Sequence, residues 1–187
     1  MSNHSRILLS LAVTAVACTT PPSPTPPSTR TGIAYVDAVI DAGESGDPRA
    51  LKQLVFFSTF PCTAREGFGG PPKCLPGEPE ATLVEALPVV GSEGGHVRMN
   101  EIDEWEGIGA ARLYGVYRTG SATYSDEFFP PGEFAVVFIP AGSDSPLTLQ
   151  VTQDGIVRFD QGFGPTLEEL FQEHGSDFVL GPFFITD

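Results

Sequence analysis

The sequence predicts a single α+β domain in which two short N-terminal helices and one helix near the C-terminus pack on a mainly antiparallel sheet. Apolar residues recur at helical spacing over 33–57 and again over 166–174. Five β-rich segments lie between these regions, each bounded by Gly, Pro, Ser or Asp. The 18 prolines and 21 glycines are typical of a loop-rich body rather than a helical bundle. We therefore expect one globular domain over residues 33–187.

Two short helices open this domain. In the segment 33–43 the apolar residues at helical spacing are Ile33, Val36, Val39 and Ile40. Gly43 is a natural stop for this first helix. Asp47 and Pro48 are a good N-cap and first helical residue for the second, PRALKQLVFF over 48–57.

A third helix is predicted close to the C-terminus. Thr166 and Glu169 form a capping-box pattern ahead of LEELFQEH, and Gly175 marks its end. The apolar segment FVLGPFFI, residues 178–185, then closes the chain as a strand or an apolar strap.

The predicted strands are the β-rich segments 82–90, 111–119, 133–140, 146–152 and 156–160. On the second of these, Tyr114 and Tyr117 are three residues apart. Since successive side chains of a strand alternate between faces, we expect these two rings on opposite faces.

The last two strands are expected to form a hairpin whose register follows from burial. A three-residue loop over 153–155 would place Val151 opposite Val157 and Leu149 opposite Phe159. This register puts apolar side chains on one face, and it requires a left-handed conformation that the glycine of the loop allows.

The amino end has the features of an export signal. Residues 1–6 carry one positive charge, and the apolar stretch 7–17 is much shorter than the roughly 20 residues that cross a bilayer. The small residues 15–17 stand directly before Cys18, and this pattern resembles the lipobox of bacterial lipoproteins.

That resemblance implies that residues 1–17 are a cleaved signal peptide and that the Cys18 thiol receives a diacylglycerol. Acyl chains on Cys18 would hold the protein at a membrane. Thr19 is not the Asp that favours inner-membrane retention in that family, so the outer membrane is expected where the cell has two membranes. The alternative is ordinary secretion with a free Cys18 thiol.

Residues 18–32 are predicted to be the lipidated cysteine and a tether. Five prolines between 21 and 27 favour an extended backbone that rises about 3.1 Å per residue. A spacer between membrane and domain is the expected role of this segment.

The charge balance bears on the partners. The chain has a net charge of -14, and the first 32 residues contain two arginines and no acidic residue. A surface this negative repels phosphate backbones, so nucleic acid is not expected as a partner. The charge leaves cationic ligands or metal ions open, although solubility alone explains it.

Two of the three cysteines are predicted to form a disulfide. With Cys18 assigned to lipid, Cys62 and Cys74 remain as an even pair in an exported protein. They bracket a loop of Gly and Pro, TAREGFGGPPK, which has little capacity for regular structure. The sequence has neither a C-x-x-C motif nor clustered histidines, so we expect no metal site or redox motif here.

The stretch AVIDAGESGDPRALKQLV resembles the opening of NTF2-like domains. In that family a first helix ends at Gly-Asp, a second short helix follows, and a curved antiparallel sheet wraps the helices into a cone. The resemblance implies a curved sheet here. It also implies that any acid–base chemistry would take place in a pocket inside the cone.

The densest group of acids is NEIDEWEGIG, residues 100–109. Glu101, Asp103, Glu104 and Glu106 surround Trp105, whose indole could dehydrate a carboxyl and raise its pKa. The alternative is a solvated polar face. His96 is expected in an exposed glycine-rich loop, and His174 near a helix C-terminus is explained by the helix dipole.

The sequence therefore predicts a lipid-anchored protein of the cell envelope with one extracytoplasmic domain. We expect this domain to bind a small molecule or another envelope protein, without a cofactor. The alternatives are an NTF2-like pocket enzyme that uses an acid from 101–106, and a purely structural envelope protein.

Overall fold

A computed structural model describes residues 29–91, 93–105, 111–121, 123–143, 145–161 and 166–183. The predicted signal peptide 1–17, Cys18, most of the tether and Glu106 lie outside these residues. Within the described ranges, no helix is long and apolar enough to cross a membrane.

The helices are α1 (Ala34–Glu44), α2 (Pro48–Lys52), α3 (Leu167–His174) and a short 3₁₀ helix, η1 (Met99–Glu101). The side chain of Asp47 caps α2 by accepting the N–H of Arg49 at 2.9 Å. Thr166 and Glu169 form the predicted capping box at the start of α3. All three predicted helices are therefore present.

The second helix is five residues shorter than predicted, because tertiary hydrogen bonds capture the chain beyond it. After α2 ends at Lys52, the N–H of Ile156 donates to the carbonyl of Leu54 at 2.8 Å. The N–H of Phe56 donates to the carbonyl of Ile156 at 2.9 Å. Gly155 has a φ of 135°, and a Cβ there would collide with the Leu54 carbonyl oxygen.

The helices pack on one curved, open sheet. Its strands are β1 (Ser58–Pro61), β2 (Leu83–Val90), β3 (Gly95–Arg98), β4 (Ala111–Arg118), β5 (Phe134–Pro140), β6 (Leu147–Thr152), β7 (Gly155–Gln161) and β8 (Phe178–Leu180). The order is β1-β2-β7-β6-β5-β4-β8, with β3 also paired to β2. The β2–β7 pair is parallel and the other strand pairs are antiparallel. The predicted α+β class with a mainly antiparallel sheet is confirmed.

Both faces of the sheet are buried, as the alternation along β5 shows. Val136 and Phe138 pack with α1 and α2 in the larger hydrophobic core. Ala135 and Val137 point to the other face, where Leu170 of α3 covers them. The two N-terminal helices and α3 therefore lie on opposite sides of the sheet.

The five predicted strands are confirmed as β2, β4, β5, β6 and β7, and the closing apolar segment forms β8. Two further strands were not predicted. β1 has four residues and ends at Pro61, and β3 contains a glycine inside a segment interpreted as a turn. Short strands with Gly or Pro carry a weak periodicity signal.

A bulge in β4 overturns the expectation that Tyr114 and Tyr117 lie on opposite faces. Pairing with β5 skips from Leu113 to Gly115, so Tyr114 is an extra residue that shifts the alternation. Both tyrosines consequently pack on the α3 side, against Leu170. Burial raises the pKa of both phenols.

The β6–β7 hairpin has the predicted partners at only one of two positions. Leu149 faces Phe159 as predicted. Val151 faces Ile156 rather than Val157, because the turn has two residues and a bulge leaves Val157 unpaired. The bulge restores the apolar face that the three-residue loop was expected to produce.

A buried arginine fixes the long segment between β4 and β5 against the sheet. Arg158 of β7 is 1% exposed, and its guanidinium pairs with the carboxylate of Asp160 at 2.7 and 2.9 Å. It also donates to the carbonyls of Tyr124 at 2.9 Å and Phe129 at 2.7 Å. Gln150 donates to the same carboxylate at 3.0 Å, so this network joins two strands and one loop.

Candidate functional site

The predicted disulfide between Cys62 and Cys74 is present and closes a loop with a sequence separation of 12. Cys62 is buried, whereas Phe68 near the middle of the loop is 77% exposed. The disulfide therefore anchors the loop at a buried cysteine, while the middle of the loop lies on the surface.

Backbone hydrogen bonds hold this loop in one position. The N–H of Thr63 donates to the carbonyl of Pro72 at 2.8 Å, and the N–H of Cys74 donates to the carbonyl of Thr63 at 2.9 Å. At the far end, the N–H of Gly69 donates to the carbonyl of Glu93 at 2.8 Å. Because Glu93 lies between β2 and β3, the loop is tied to the sheet at both ends.

An ion pair joins the loop region to β3. The guanidinium of Arg98 is buried and pairs with both carboxylate oxygens of Glu78, at 2.9 and 2.7 Å. Arg98 also donates to the carbonyl of Lys73 at 2.7 Å, and Glu78 accepts the N–H of Leu75 at 2.8 Å. The hydrogen bonds from Arg98 and Leu75 hold the pKa of Glu78 below its ordinary value.

His96 lies on β3 and is half-buried, so the expectation of an exposed loop histidine was wrong. Its ring lies 5.1 Å from the rings of both Phe60 and Phe129, centroid to centroid. Its Nε2 is 3.1 Å from the carbonyl of Phe128, so this nitrogen carries the hydrogen. Its Nδ1 is buried and has no partner among the described residues. Burial lowers the pKa of His96 to about 4.

These parts enclose a hollow of about 270 Å³ between the disulfide loop, η1 and β3. The residues that line it include Lys73, Leu75, His96, Arg98 and Glu101, with glycines and prolines of the two loops completing the wall. This volume lies just below the range of small-molecule pockets, which is about 300 to 1,000 Å³. The hollow can therefore hold a ligand with few heavy atoms.

The structure separates the acids that the sequence groups together. Glu101 ends η1 and lines the hollow, where its Oε2 accepts the N–H of Arg98 at 3.3 Å. Asp103 and Glu104 are exposed. The indole of Trp105 packs edge-on against Phe159 in the core, with ring centroids 4.8 Å apart. Of the described acids in this segment, Glu101 is the one that reaches the hollow.

Two other places among the described residues have features of a site. Cys62, Cys74 and Glu78 bring possible ligand atoms within 4.8 Å of one another, but both sulfurs are in the disulfide and are not thiolate ligands. A more open hollow of about 510 Å³ lies at the end of β4 and β5, lined by Arg112 and Ile139. Residues 106–110, which precede β4 in the sequence, lie outside the described residues.

His174, the other histidine in the described ranges, does not line the hollow. It is the last residue of α3 and is buried, with its ring stacked on Tyr117 at a centroid distance of 4.1 Å. It lies at the helix C-terminus, as the dipole interpretation requires, and aromatic packing adds to that explanation.

No protein-family model, curated protein or solved structure matches this chain. The site is therefore interpreted from its own geometry.

The sequence did not reveal the basic side of the hollow. Lys73 and Arg98 are 25 positions apart, and Glu78 lies in a proline-rich segment without periodicity. The one usable signal was the alternation in GHVR, since a strand there places His96 and Arg98 on the same face.

Proposed function

We propose that this chain is a lipid-anchored extracytoplasmic protein whose domain binds a small molecule in the hollow beside the disulfide loop. The disulfide is the observation that supports the proposal most, because it bears on the compartment of the protein and on the wall of the hollow. Disulfides persist mainly in oxidising compartments outside the cytoplasm, and Cys74 itself forms part of the wall of the hollow.

The lipid anchor rests on the small residues 15–17 before Cys18 and on the proline-rich tether that follows. Its test is mass spectrometry of the mature amino terminus from a bacterial membrane fraction. We expect a diacylglyceryl modification on Cys18, and we expect Cys18→Ser to abolish both the modification and membrane retention. An unmodified Cys18 on the mature protein would refute the anchor.

Binding is favoured over catalysis by where the acids lie. Acid–base chemistry with a raised carboxyl pKa needs a dehydrated carboxylate. Asp103 and Glu104 are exposed to water, and Trp105 packs on the core instead of covering them. Glu101 faces the hollow beside the Glu78–Arg98 ion pair, which suits the recognition of a charged group.

The binding function is tested by thermal-shift screening of the full chain, purified in detergent, against metabolites and metal ions. A true ligand should raise the melting temperature of the parent chain and of Glu104→Gln, which changes an exposed acid. The same ligand should lose its effect on Glu101→Gln. A ligand that stabilises all three chains equally binds elsewhere, and that result would contradict the assignment of the hollow.

A second candidate is docking of another envelope protein, and exposed apolar side chains favour it. Phe68 on the disulfide loop is 77% exposed, and Leu75 and Met99 near the hollow are 40% and 47% exposed. Cross-linking in cells would test this function. A partner captured by the parent chain and lost with Phe68→Ser, but retained with Glu101→Gln, would place the function on the loop rather than in the hollow.

A further inference from the structure

The charges around the hollow differ in whether they are already neutralised. The guanidinium of Arg98 is held by both oxygens of Glu78 and by a backbone carbonyl, so its charge is paired and three of its five N–H donors are engaged within the wall. Lys73 contributes its carbonyl to that arrangement, and its ammonium makes no hydrogen bond or ion pair with another described residue. The ammonium of Lys73 is therefore available to a ligand.

Glu101 provides the opposite charge among the residues that line the hollow. One of its carboxylate oxygens accepts the N–H of Arg98, and the other accepts no hydrogen bond from the described part of the chain. Lys73 and Glu101 line the same hollow, yet no ion pair within 4.0 Å joins them. A lysine and a glutamate thus line a shared space of about 270 Å³.

The remaining walls carry little charge. Pro71, Pro72 and Leu75 offer apolar surface. His96 is neutral near pH 7 because burial lowers its pKa to about 4. A ligand here consequently meets two charges of opposite sign and an apolar wall.

Resting on the proposed binding function, we propose that the hollow binds a free amino acid as a small zwitterion. The ligand carboxylate pairs with the ammonium of Lys73, and the ligand ammonium pairs with the carboxylate of Glu101. The apolar wall contacts the amino-acid side chain. The size of the hollow suits a ligand of this class, which has few heavy atoms.

The charge of the whole domain favours a zwitterion over an anion. Beyond residue 32 the chain has 8 basic and 24 acidic residues, so a free anion is repelled as it approaches. A simple cation would be attracted, but it would leave the ammonium of Lys73 without an anionic partner. A ligand without net charge avoids the long-range repulsion and satisfies both groups at the site.

The test is equilibrium dialysis of the full chain in detergent against each of the protein amino acids at millimolar concentration. For an amino acid that binds, the N-acetyl derivative removes the ammonium charge and the amide derivative removes the carboxylate charge. We expect each blocked form to bind about tenfold more weakly or worse. No binding by any amino acid, or equal binding of a blocked form, would overturn the proposal.

Two variants assign each ligand group to its partner. Lys73→Met should weaken binding of the amino acid, so that the amino acid and its amide derivative bind with equal affinity. Glu101→Gln should make the amino acid and its N-acetyl derivative bind with equal affinity. The matched controls Arg65→Met and Glu104→Gln change exposed charges that do not line the hollow, and should preserve all preferences. Unchanged preferences in the two site variants would also overturn the proposal.

Failure of the amino-acid proposal can be distinguished from failure of the proposed binding function. If metabolite screening finds a ligand that depends on Glu101 but is not a zwitterion, binding at the hollow stands and the ligand class proposed here is wrong. If no ligand of any class depends on Glu101, both fail.

Discussion

The replacement of Arg158 by leucine should be among the most damaging single changes in the domain. Arg158 lies inside the sheet at 1% exposure and makes four hydrogen bonds. Two of these go to the carboxylate of Asp160, and the other two go to the carbonyls of Tyr124 and Phe129. Leucine keeps apolar volume in the core and removes all four donors.

The size of the effect follows from what is left behind. Removing one partner of a buried ion pair costs about 3–5 kcal/mol, because the other charge stays without compensation. The side chain of Asp160 is 19% exposed and still accepts a hydrogen bond from Gln150, so water and this amide recover part of the loss. We therefore expect Arg158→Leu to lower the free energy of unfolding by about 3 kcal/mol.

The measurement is urea denaturation followed by the fluorescence of Trp105, the single tryptophan, which packs on Phe159 in the core. Arg118→Leu is the matched control. Arg118 is exposed, and its guanidinium lies 4.7 Å above the ring of Phe134, a contact with an expected contribution of about 0.5–1 kcal/mol. If Arg158→Leu costs no more than this control, the buried network does not stabilise the fold as argued.

A double variant tests the mechanism behind that number. Replacing Asp160 as well as Arg158 by leucine removes the uncompensated carboxylate. The double variant should therefore be more stable than the sum of the two single losses predicts. Strictly additive losses would show that the two side chains act independently.

Three further outcomes are expected. Replacing Cys62 and Cys74 by alanine should lower the free energy of unfolding by about 3 kcal/mol, measured by urea denaturation, because a loop with a separation of 12 is no longer closed. Gly43→Ala should lower the melting temperature by an amount equivalent to about 1–2 kcal/mol, because a Cβ in α1 would collide with the buried ring of Phe138; an unchanged temperature would mean that the ring moves freely. For His96, the folded pKa of about 4 lies below the unfolded value of 6.5, so the unfolded chain binds more protons between these values and stability falls as the pH drops from 6.5 to 4. The shift corresponds to about 3 kcal/mol, which partial exposure of the ring reduces to about 1–2 kcal/mol, and His96→Phe should remove this part of the pH dependence in denaturation titrations.

The elements with strong local signals could be predicted from the sequence, whereas an end that depends on tertiary contacts could not. The capping box at Thr166 fixed the start of α3 because capping depends on neighbours in the chain. The end of α2 at Lys52 depends on hydrogen bonds between Leu54 and Ile156, more than a hundred residues away. Local propensity does not contain that information.

Bulges limited the prediction of faces in the same way. Tyr114 occupies an extra position because β4 has one more residue than β5 across that part of the ladder. Strict alternation then fails for every residue on one side of the bulge. The sequence supplies the strand, whereas the partner strand decides which side chains share a face.

The candidate site was predicted least well, since its charges come from separate segments. The disulfide followed from counting cysteines, but Lys73 and Glu78 meet Arg98 because the closed loop and the segment after it lie against β3. Glu101 was singled out as a member of an acidic run, and the structure gives it a different role from its exposed neighbours Asp103 and Glu104.

The disulfide and the Glu78–Arg98 ion pair act on the same part of the molecule by different means. The disulfide reduces the conformations open to the unfolded loop, while the ion pair and the Lys73 carbonyl fix where the folded loop lies on β3. A loop held in both ways loses little further freedom when a ligand binds, which leaves more of the contact energy for affinity. This small loss of conformational freedom matters more for a small hollow, which makes few contacts with its ligand, than for a large one.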